Sequence, residues 1–401
     1  MKHLFLFVLY IFVIVPQVFC QEQKWKFDNR YQDKLLFLHS FVNYEFNPDW
    51  NFLWEESQFQ STSTRMSFGS VEVNDLLCNA QVKINSELVP GFRFLLDYQQ
   101  YASQHLNQET VSAFLGFEKS IFRNFSAYFL ATPAFHKEEV DTRLGLSLAN
   151  SERTRYLRLA FCWDDFVYDS KNNLAGETSQ QPYGLCWFAR AGKDKLWFYS
   201  EGKYSQGFNR HYPDPAKSPD MMNHEQKISN SLTKVYYKIS QKSLVELSFI
   251  HYMYDEMKRF RMGGFSDFRY DNAIYLSAFK YLLPVSQNQR LRLIGRYVIQ
   301  KSNASGFKNY NYSRNEFLPA IFYEYWFTNF IWEFGYKGAV IDWDFDDLSP
   351  QNDYSFDGYT EKLKFGCTYR INDSAFLQLS ISHVLSYWGF GGGNLQFIAR
   401  L

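Results

Sequence analysis

Apolar and polar residues alternate along this chain from about residue 60 onward. In Phe92-Arg93-Phe94-Leu95-Leu96-Asp97-Tyr98, positions 92, 94, 96 and 98 share an apolar face. The same alternation returns at 143–148, 290–293, 362–369 and 377–381. A period of two residues puts successive side chains on opposite faces, which is typical of β-strands and not of helices. The pattern therefore predicts an all-β protein.

Extended along the chain, this assignment predicts eighteen strands. They lie near 61–73, 78–87, 91–102, 111–122, 125–135, 141–150, 154–165, 182–190, 196–206, 228–240, 244–255, 266–282, 290–302, 315–326, 330–341, 359–370, 375–386 and 394–401.

The connections between these strands alternate in length. Short links such as 88–90, 123–124 and 285–289 alternate with long ones such as 166–181 and 207–227. Tight turns at one end and long loops at the other are typical of a transmembrane antiparallel up-and-down β-barrel. Strands of about ten residues are also long enough to cross a bilayer when tilted. An even strand number places both ends of the barrel on the short-turn, periplasmic side.

This layout resembles the bacterial outer-membrane porin-like barrels, in particular the eighteen-stranded channel and exporter families, with alginate-export-like barrels as one possibility. The resemblance covers roughly residues 60–401. The last strand, 394–401, alternates as in those barrels but ends on Leu401, where an aromatic residue is usual. The resemblance implies an outer-membrane location, with outer-membrane lipid and the outer-membrane assembly machinery as partners.

The N-terminus has the pattern of a secretory signal. Lys2 and His3 precede an apolar run from Leu4 to Val15, and Val18 and Cys20 occupy the −3 and −1 positions of a cleavage site. We therefore expect residues 1–20 to be a cleaved signal peptide and 61–401 to be the barrel. Residues 21–60 form either a periplasmic or plugging helical segment or an extra strand pair.

Composition removes two classes of protein. The chain carries 42 basic and 42 acidic residues, and a neutral balance disfavours nucleic-acid binding, which requires a basic excess. After residue 20 no apolar stretch approaches the roughly 20 residues of a spanning helix. Aromatic residues make up 20% of the chain. We expect Trp187, Trp197, Trp326 and Trp332, which flank short turns, to form part of an aromatic girdle.

The polar parity of the strands predicts the inner wall. Basic residues on it outnumber acidic ones, which favours a pore that prefers anions. Pairing of the same arginines with inward glutamates, in a network that plugs the barrel, is the alternative. The predicted lumen and selectivity residues are Arg93, Arg143, Arg158, Arg190, Lys234, Lys238, Arg290, Arg292, Arg296, Lys362, Lys364 and Arg370.

Two further groups are candidates for special chemistry. Asp342, Asp344, Asp346 and Asp353 have a spacing similar to that of a calcium loop, although Asp347 stands where such a loop needs glycine. The group is a surface calcium site or a solvated acidic loop, and we expect no other cofactor. Cys162 and Cys186 share inward parity on neighbouring predicted strands, where they form a disulfide or remain two buried thiols.

No catalytic motif for a hydrolase or phosphate-binding enzyme occurs, and we expect no enzyme activity. Ser248 with His251, and Ser382 with His383, are pairs that suggest hydrolase chemistry, although serine and histidine are common on strands. The expected function is an outer-membrane channel for small hydrophilic anionic solutes, with 207–227 or 342–358 folding inward as a constriction. Alternatives are export or anchoring of an anionic polysaccharide and a plugged surface-binding barrel.

Overall fold

The computed structural model describes most of the chain between residues 63 and 400. The described ranges are 63–70, 76–103, 108–132, 140–151, 153–167, 177–180, 183–211, 221–240, 243–261, 267–306, 309–347, 354–372, 375–385 and 388–400. The predicted signal peptide (1–20) and the segment 21–60 lie outside the described residues.

In these ranges the chain forms nineteen antiparallel strands. They are β1 (Ser63–Ser70), β2 (Leu76–Val89), β3 (Phe92–Ser103), β4 (Gln108–Phe122), β5 (Phe125–Ala131), β6 (Val140–Ala149), β7 (Tyr156–Val167), β8 (Glu177–Gln180), β9 (Tyr183–Lys193), β10 (Leu196–His211), β11 (Met221–Lys238), β12 (Leu244–Phe260), β13 (Phe268–Ser286), β14 (Gln289–Ser305), β15 (Tyr310–Trp326), β16 (Phe330–Asp347), β17 (Tyr354–Asn372), β18 (Ala375–Val384) and β19 (Gly389–Arg400).

The strand pairings close into a ring. Apart from β8, each strand pairs with the next along the chain, with β7 pairing directly with β9. β1 pairs with both β2 and β19, so neither edge is left open. The short β8 and the following β9 both pair antiparallel with β10 and act as two parts of one interrupted strand. The ring therefore has eighteen members, as the alternation predicted. Closure matters because an open sheet edge would leave backbone groups unpaired.

All eighteen predicted strands overlap an observed one, and the differences are at the long-connection ends. There β11 begins at Met221, β16 continues to Asp347 and β17 begins at Tyr354. The added residues of β16 do alternate, in Asp342-Trp343-Asp344-Phe345-Asp346, but their acidic side chains led to the expectation of a loop. The expectation that 207–227 and 342–358 are loops is wrong for most of both ranges, because β10, β11, β16 and β17 occupy them.

The backbone ladder has one interruption that its sequence explains. Between β15 and β16 the pairing runs to Phe317 with Val340 and resumes at Ala320 with Lys337. Pro319 lies in this gap, and proline has no backbone N–H to donate across a strand pair.

The outer surface of the ring is apolar. On β6, Leu144, Leu146 and Leu148 are each about half exposed, and the same outward parity exposes Phe249 on β12 and Phe334 on β16. Other than Val89 and Phe122, next to register shifts at short turns, every exposed large apolar side chain within a described strand lies on this face. We call this surface the apolar belt.

The inner surface is packed with both apolar and charged side chains. One buried cluster lines β10 to β14 and contains Tyr199, Tyr236, Ile250, Ile274 and Val298. A second runs from Leu95 on β3 to the cysteines of β7 and β9. Among the described residues no helix has the length and apolarity that a membrane crossing needs.

Candidate functional site: the charged inner wall

The twelve basic residues predicted to face the lumen all lie on the parity opposite the apolar belt. Arg143, for example, precedes the outward Leu144, and Arg296 precedes the outward Tyr297. Most are strongly shielded: Lys234, Arg190, Arg290, Arg292, Arg296 and Lys364 are buried, whereas Lys238 and Arg370 are exposed near strand ends.

These cations are not spread evenly along the barrel. Most of them lie within five residues of the end of their strand at a short connection. The residues in this zone are Arg93, Arg158, Arg190, Lys234, Lys238, Arg290, Arg292 and Arg370. Basic side chains are therefore concentrated on the inner wall near the short-turn end of the barrel, where the inward carboxylates Glu118, Glu246, Glu324 and Glu333 also lie.

Glu118 organises one part of this zone. Its carboxylate, buried on β4, accepts hydrogen bonds from Arg158 at 3.0 Å, Arg153 at 2.7 Å and the Tyr156 hydroxyl at 2.9 Å. Arg158 also lies over the ring of Tyr128, 4.3 Å from its centroid. One carboxylate is thus shared by two guanidinium groups, which leaves this group of side chains positive.

Arg292 organises a second part. Its guanidinium joins Glu324, at 3.1 Å, to Glu333, and Glu324 also pairs with Arg290 at 2.6 Å while Glu333 pairs with Lys364 at 2.8 Å. Glu324 and Glu333 are direct cross-strand partners. Like charges in that position repel each other, so the cations around them are required for the pair to be buried.

The ring of Phe322 forms the apolar floor of this second group. Arg292, Lys337 and Lys364 all approach it, at 4.5, 5.8 and 5.3 Å from its centroid. Phe322 occupies space that a side chain at Gly335 would need, since a Cβ there would lie 2.1 Å from the ring. Glycine at 335 is therefore what admits the ring.

A third group lies beside it on β11 to β14. Glu246 on β12 accepts hydrogen bonds from Lys280 and Ser248, both at 2.9 Å. Lys234 lies 5.7 Å from the ring centroid of Tyr199. Lys280 was not among the predicted lumen residues because it lies in an apolar stretch. Its position between Phe279 and Tyr281, which face outward, does predict that it faces inward.

Aromatic rings support several of the basic residues. Arg143 lies 3.6 Å from the centroid of Phe114, Arg190 4.6 Å from that of Trp197, and Arg290 4.8 Å from that of Trp326. Trp197 and Trp326 therefore face inward, and the expectation that they belong to a lipid-facing girdle is wrong for these two. An arginine guanidinium stacks favourably on the face of an indole ring.

The interior of the barrel is narrow on one side of the ring. The Nζ atom of Lys83 on β2 lies 5.6 Å from the ring centroid of Phe188 on β9. These strands are six places apart around the ring. Side chains on strands so far apart in the ring can meet only if the barrel is flattened there. The cross-section of the lumen is therefore smaller along this arc.

Of the two alternatives for Cys162 and Cys186, the structure has the disulfide. Cys162 and Cys186 are bonded, with Cα atoms 6.3 Å apart, on the inward faces of the neighbouring strands β7 and β9. Their Cα separation lies inside the usual range of about 4.4–6.8 Å.

The acidic residues proposed for calcium do not form a loop as expected. Asp342, Asp344 and Asp346 are exposed on the outward face of β16, while Asp353 lies outside the described residues. Regular alternation holds the three carboxylates apart along a strand, and no cluster of three metal-binding side chains occurs in the described ranges.

The two serine–histidine pairs are separated by the same alternation. Ser248 faces inward and donates to Glu246, whereas His251 faces outward and stacks on Tyr275 with centroids 5.1 Å apart. Ser382 donates to the backbone carbonyl of Gly392, and the adjacent His383 has the opposite parity. Neither pair can form a catalytic dyad in this arrangement.

Comparisons with known proteins give a likeness in structure alone. No family model matches the sequence, and no curated protein matches it. A bacterial polysaccharide outer membrane secretin aligns with a TM-score of 0.42 and 9% identity, covering 86% of this chain and 99% of that one. OccK2 of Pseudomonas aeruginosa, solved with glucuronate, gives 0.38 and 10%, covering 85% and 96%.

A loop-deletion mutant of OmpT, an outer membrane protein of Vibrio cholerae, gives a TM-score of 0.37 and 10% identity, covering 84% of this chain and 96% of that one. Because these scores are below 0.5, we draw nothing about function from them. The chain is an all-β antiparallel up-and-down barrel, and porin-like barrels of the outer membrane are among its structural neighbours.

Proposed function

We propose that this protein is a bacterial outer-membrane channel that passes small hydrophilic anions through its barrel. The observation that carries the proposal is the segregation of side chains between the two faces of one closed sheet. Exposed apolar residues lie outward, as contact with acyl chains requires, and the twelve arginines and lysines predicted for the lumen lie inward. An excess of fixed positive charge inside a low-dielectric wall attracts anions and repels cations.

The position of the basic residues supports a channel that selects anions, not one that merely admits them. The basic zone near the short-turn end adjoins the arc in which Lys83 approaches Phe188. A solute passing a narrowed section must exchange part of its hydration shell for contacts with the wall. Arg143 and Lys362 also face inward and are less buried than Arg292, so their charges are accessible to a solute in the barrel.

The test is the reversal potential of the purified, refolded protein in a planar bilayer across a KCl gradient. We expect a chloride-to-potassium permeability ratio above one. Arg143→Gln and Lys362→Gln should each lower that ratio, because each removes an inward charge. Lys301→Gln, on the outward face of β14, is the matched control and should leave the ratio unchanged. A cation preference in the unaltered protein would refute the proposal.

A plugged barrel that binds at the cell surface without transport is the second candidate. It is favoured by the ion pairing around Glu118, Glu246 and Arg292 and by the burial of inward apolar residues such as Ile274. This candidate predicts no conductance in the same bilayer. Block of an existing conductance by oligouronates, but not by short neutral sugars, would instead favour passage of an anionic polysaccharide.

A further inference from the structure

At the long-connection end of the barrel, β17 continues beyond the strand that follows it in the ring. The pairing between β17 and β18 ends at Lys362 with Val384, whereas β17 begins at Tyr354. Over residues 354–360, β17 pairs with β16 on one side, and no strand in the described ranges pairs with it on the other. Residues 354–360 therefore form an open sheet edge above the closed ring.

The next connection of the chain is too short to cover this edge. β18 ends at Val384 and β19 begins at Gly389, so only residues 385–388 link them. The backbone N–H of Leu385 donates to the carbonyl of Glu361 at 2.9 Å, which closes the lower end of the edge. An extended chain advances at most about 3.6 Å per residue, so this connection, which must also return to β19, cannot run along 354–360.

The same hydrogen bond shows which backbone groups point to the open side. In an antiparallel strand the N–H and C=O of one residue point to the same neighbouring strand, and successive residues alternate between the two neighbours. Glu361 points toward β18, and the pairing with β16 has no register shift in this range. The backbone groups of Ser355, Asp357 and Tyr359 therefore point to the open side, where they form a template for one more strand.

The surface beside the edge is acidic. Asp342, Asp344 and Asp346 are exposed on the outward face of β16, and Glu361 lies on the outward face of β17. Glu361 accepts a hydrogen bond from the Tyr336 hydroxyl, and within the described ranges none of the four carboxylates forms an ion pair. A second copy of this chain would bring the same carboxylates to the contact, and like charges repel. A strand with basic side chains on the matching face would be attracted.

We propose that the open edge of β17 binds an extended segment of a partner protein that carries basic residues at alternate positions. The segment adds a strand antiparallel to β17 and bonds to the backbone of Ser355, Asp357 and Tyr359. Its basic side chains lie on the same face as Asp342 and Asp344. In contacts of this kind, backbone pairing supplies affinity and alternate side chains supply specificity. The proposal goes beyond the channel function, since it needs no passage through the lumen.

The test uses a fluorescent peptide of alternating lysine and valine, matched to 354–360 in length. It is titrated with the refolded protein in detergent and followed by fluorescence anisotropy. We expect saturable binding that salt weakens. In an antiparallel pair the outward lysines turn their backbone N–H groups toward β17. Methylation of the lysine backbone nitrogens should therefore raise the dissociation constant by about tenfold or more, the size of one or two lost hydrogen bonds.

The matched control is the same peptide methylated on the valine backbone nitrogens, which point away from β17. It should bind as well as the unmodified peptide. Equal binding of the two methylated peptides would show attraction by charge without strand pairing, and would overturn the proposal. Absence of binding by the unmodified peptide would overturn it as well.

Two pairs of protein variants assign the binding to this edge. Ser355→Pro removes a backbone N–H on the open side and should weaken binding of the unmodified peptide, whereas Ser355→Ala keeps that N–H and should not. Asp342→Asn combined with Asp344→Asn should weaken it by about threefold or more. Asp255→Asn combined with Asp271→Asn, on the outward faces of β12 and β13, is the control and should leave it unchanged.

Retention of the barrel is checked for each variant by its heat-modifiable gel mobility. Binding that is unaffected by both Ser355→Pro and the paired substitutions on β16 would place the peptide elsewhere and refute this site. Because the measurement does not involve conductance, its outcome is separate from that of the bilayer experiment.

Discussion

At the scale of single residues, the inner wall depends on charges that share partners. Arg292, which is fully buried, pairs with both Glu324 and Glu333, and these carboxylates face each other across β15 and β16. A buried pair gains little when it is complete but costs much when one member is removed, because the remaining charge is left uncompensated.

Arg292→Met should therefore destabilise the barrel strongly. We expect a loss of about 3–5 kcal/mol in the free energy of unfolding, measured by urea titration in lipid vesicles and followed by tryptophan fluorescence. Lys301→Met, on the outward face of the same strand, should change it by less than about 0.5 kcal/mol. Adding Glu333→Gln to Arg292→Met should restore part of the loss. Equal stability of the two single variants would contradict the shared-partner role.

The contact between Phe322 and Gly335 gives a steric prediction at the same scale. Gly335→Ala places a methyl group where the ring lies, 2.1 Å from its Cδ1 atom, and should destabilise the barrel by about 1–3 kcal/mol through overpacking. Gly295→Ala on β14, two strands away, is the control, because its nearest atom, on Phe317, is 3.8 Å away. Urea titration again measures both; a neutral Gly335→Ala would show that the ring can move aside at no cost.

At the scale of elements, register is fixed by alternation and by the short turns. A slip of one residue would bring the apolar belt inside, which explains why strand identity was readable from the sequence. Closure of the ring was not readable in this way. It depends on pairing between β1 and β19, which are more than 300 residues apart in sequence.

Closure predicts a specific cross-link. Met66 and Phe397 are direct partners on β1 and β19, so their Cα atoms lie within the range of a disulfide. In a background with Cys78→Ser and Cys367→Ser, Met66→Cys combined with Phe397→Cys should cross-link on mild oxidation, detected by mass spectrometry. Met66→Cys with Leu395→Cys is shifted by one step along the same face and should cross-link far less. Equal yields would contradict this register.

Much of the inner wall was also predictable from parity. The exposed Leu144 and Leu146 fix the outward face of β6 and so place Arg143 inward. Parity could not predict which charged side chains form ion pairs with one another. Glu118 lies on β4 and Arg158 on β7, three strands away, and their contact follows from the curvature of the ring. Trp197 shares the inward parity of Tyr199, so parity predicts that it faces inward; the girdle expectation relied instead on its position beside a short turn, whereas Trp197 stacks inside on Arg190.

At the scale of the whole molecule, the apolar belt determines whether lipid or water is the better surrounding for the outer surface of the barrel. Leu146 lies at the centre of the outward run on β6, between Leu144 and Leu148. Leu146→Arg should lower the free energy of unfolding from a bilayer by about 2–4 kcal/mol, the cost of arginine near the midplane of a lipid-facing barrel wall.

Asp255→Arg is the control for this substitution. Asp255 is also outward, but lies toward the long-connection end of β12, opposite Asp271 of β13. Arginine near the interface costs only about 0–1 kcal/mol. Unfolding titrations from vesicles of the same lipid measure both variants. Similar costs for the two would mean that Leu146 is not in contact with acyl chains.

The covalent link between Cys162 and Cys186 has a consequence for how the barrel is assembled. It joins β7 and β9 across residues 168–182, the longest connection between paired neighbours in the described ring. A two-residue turn, Asp194-Lys195, joins the adjacent strands β9 and β10, whereas residues 168–182 separate the end of β7 from the start of β9. In an oxidising environment the disulfide bond therefore holds β7 and β9 in register. In a reducing environment these two strands would be free to pair in a shifted register.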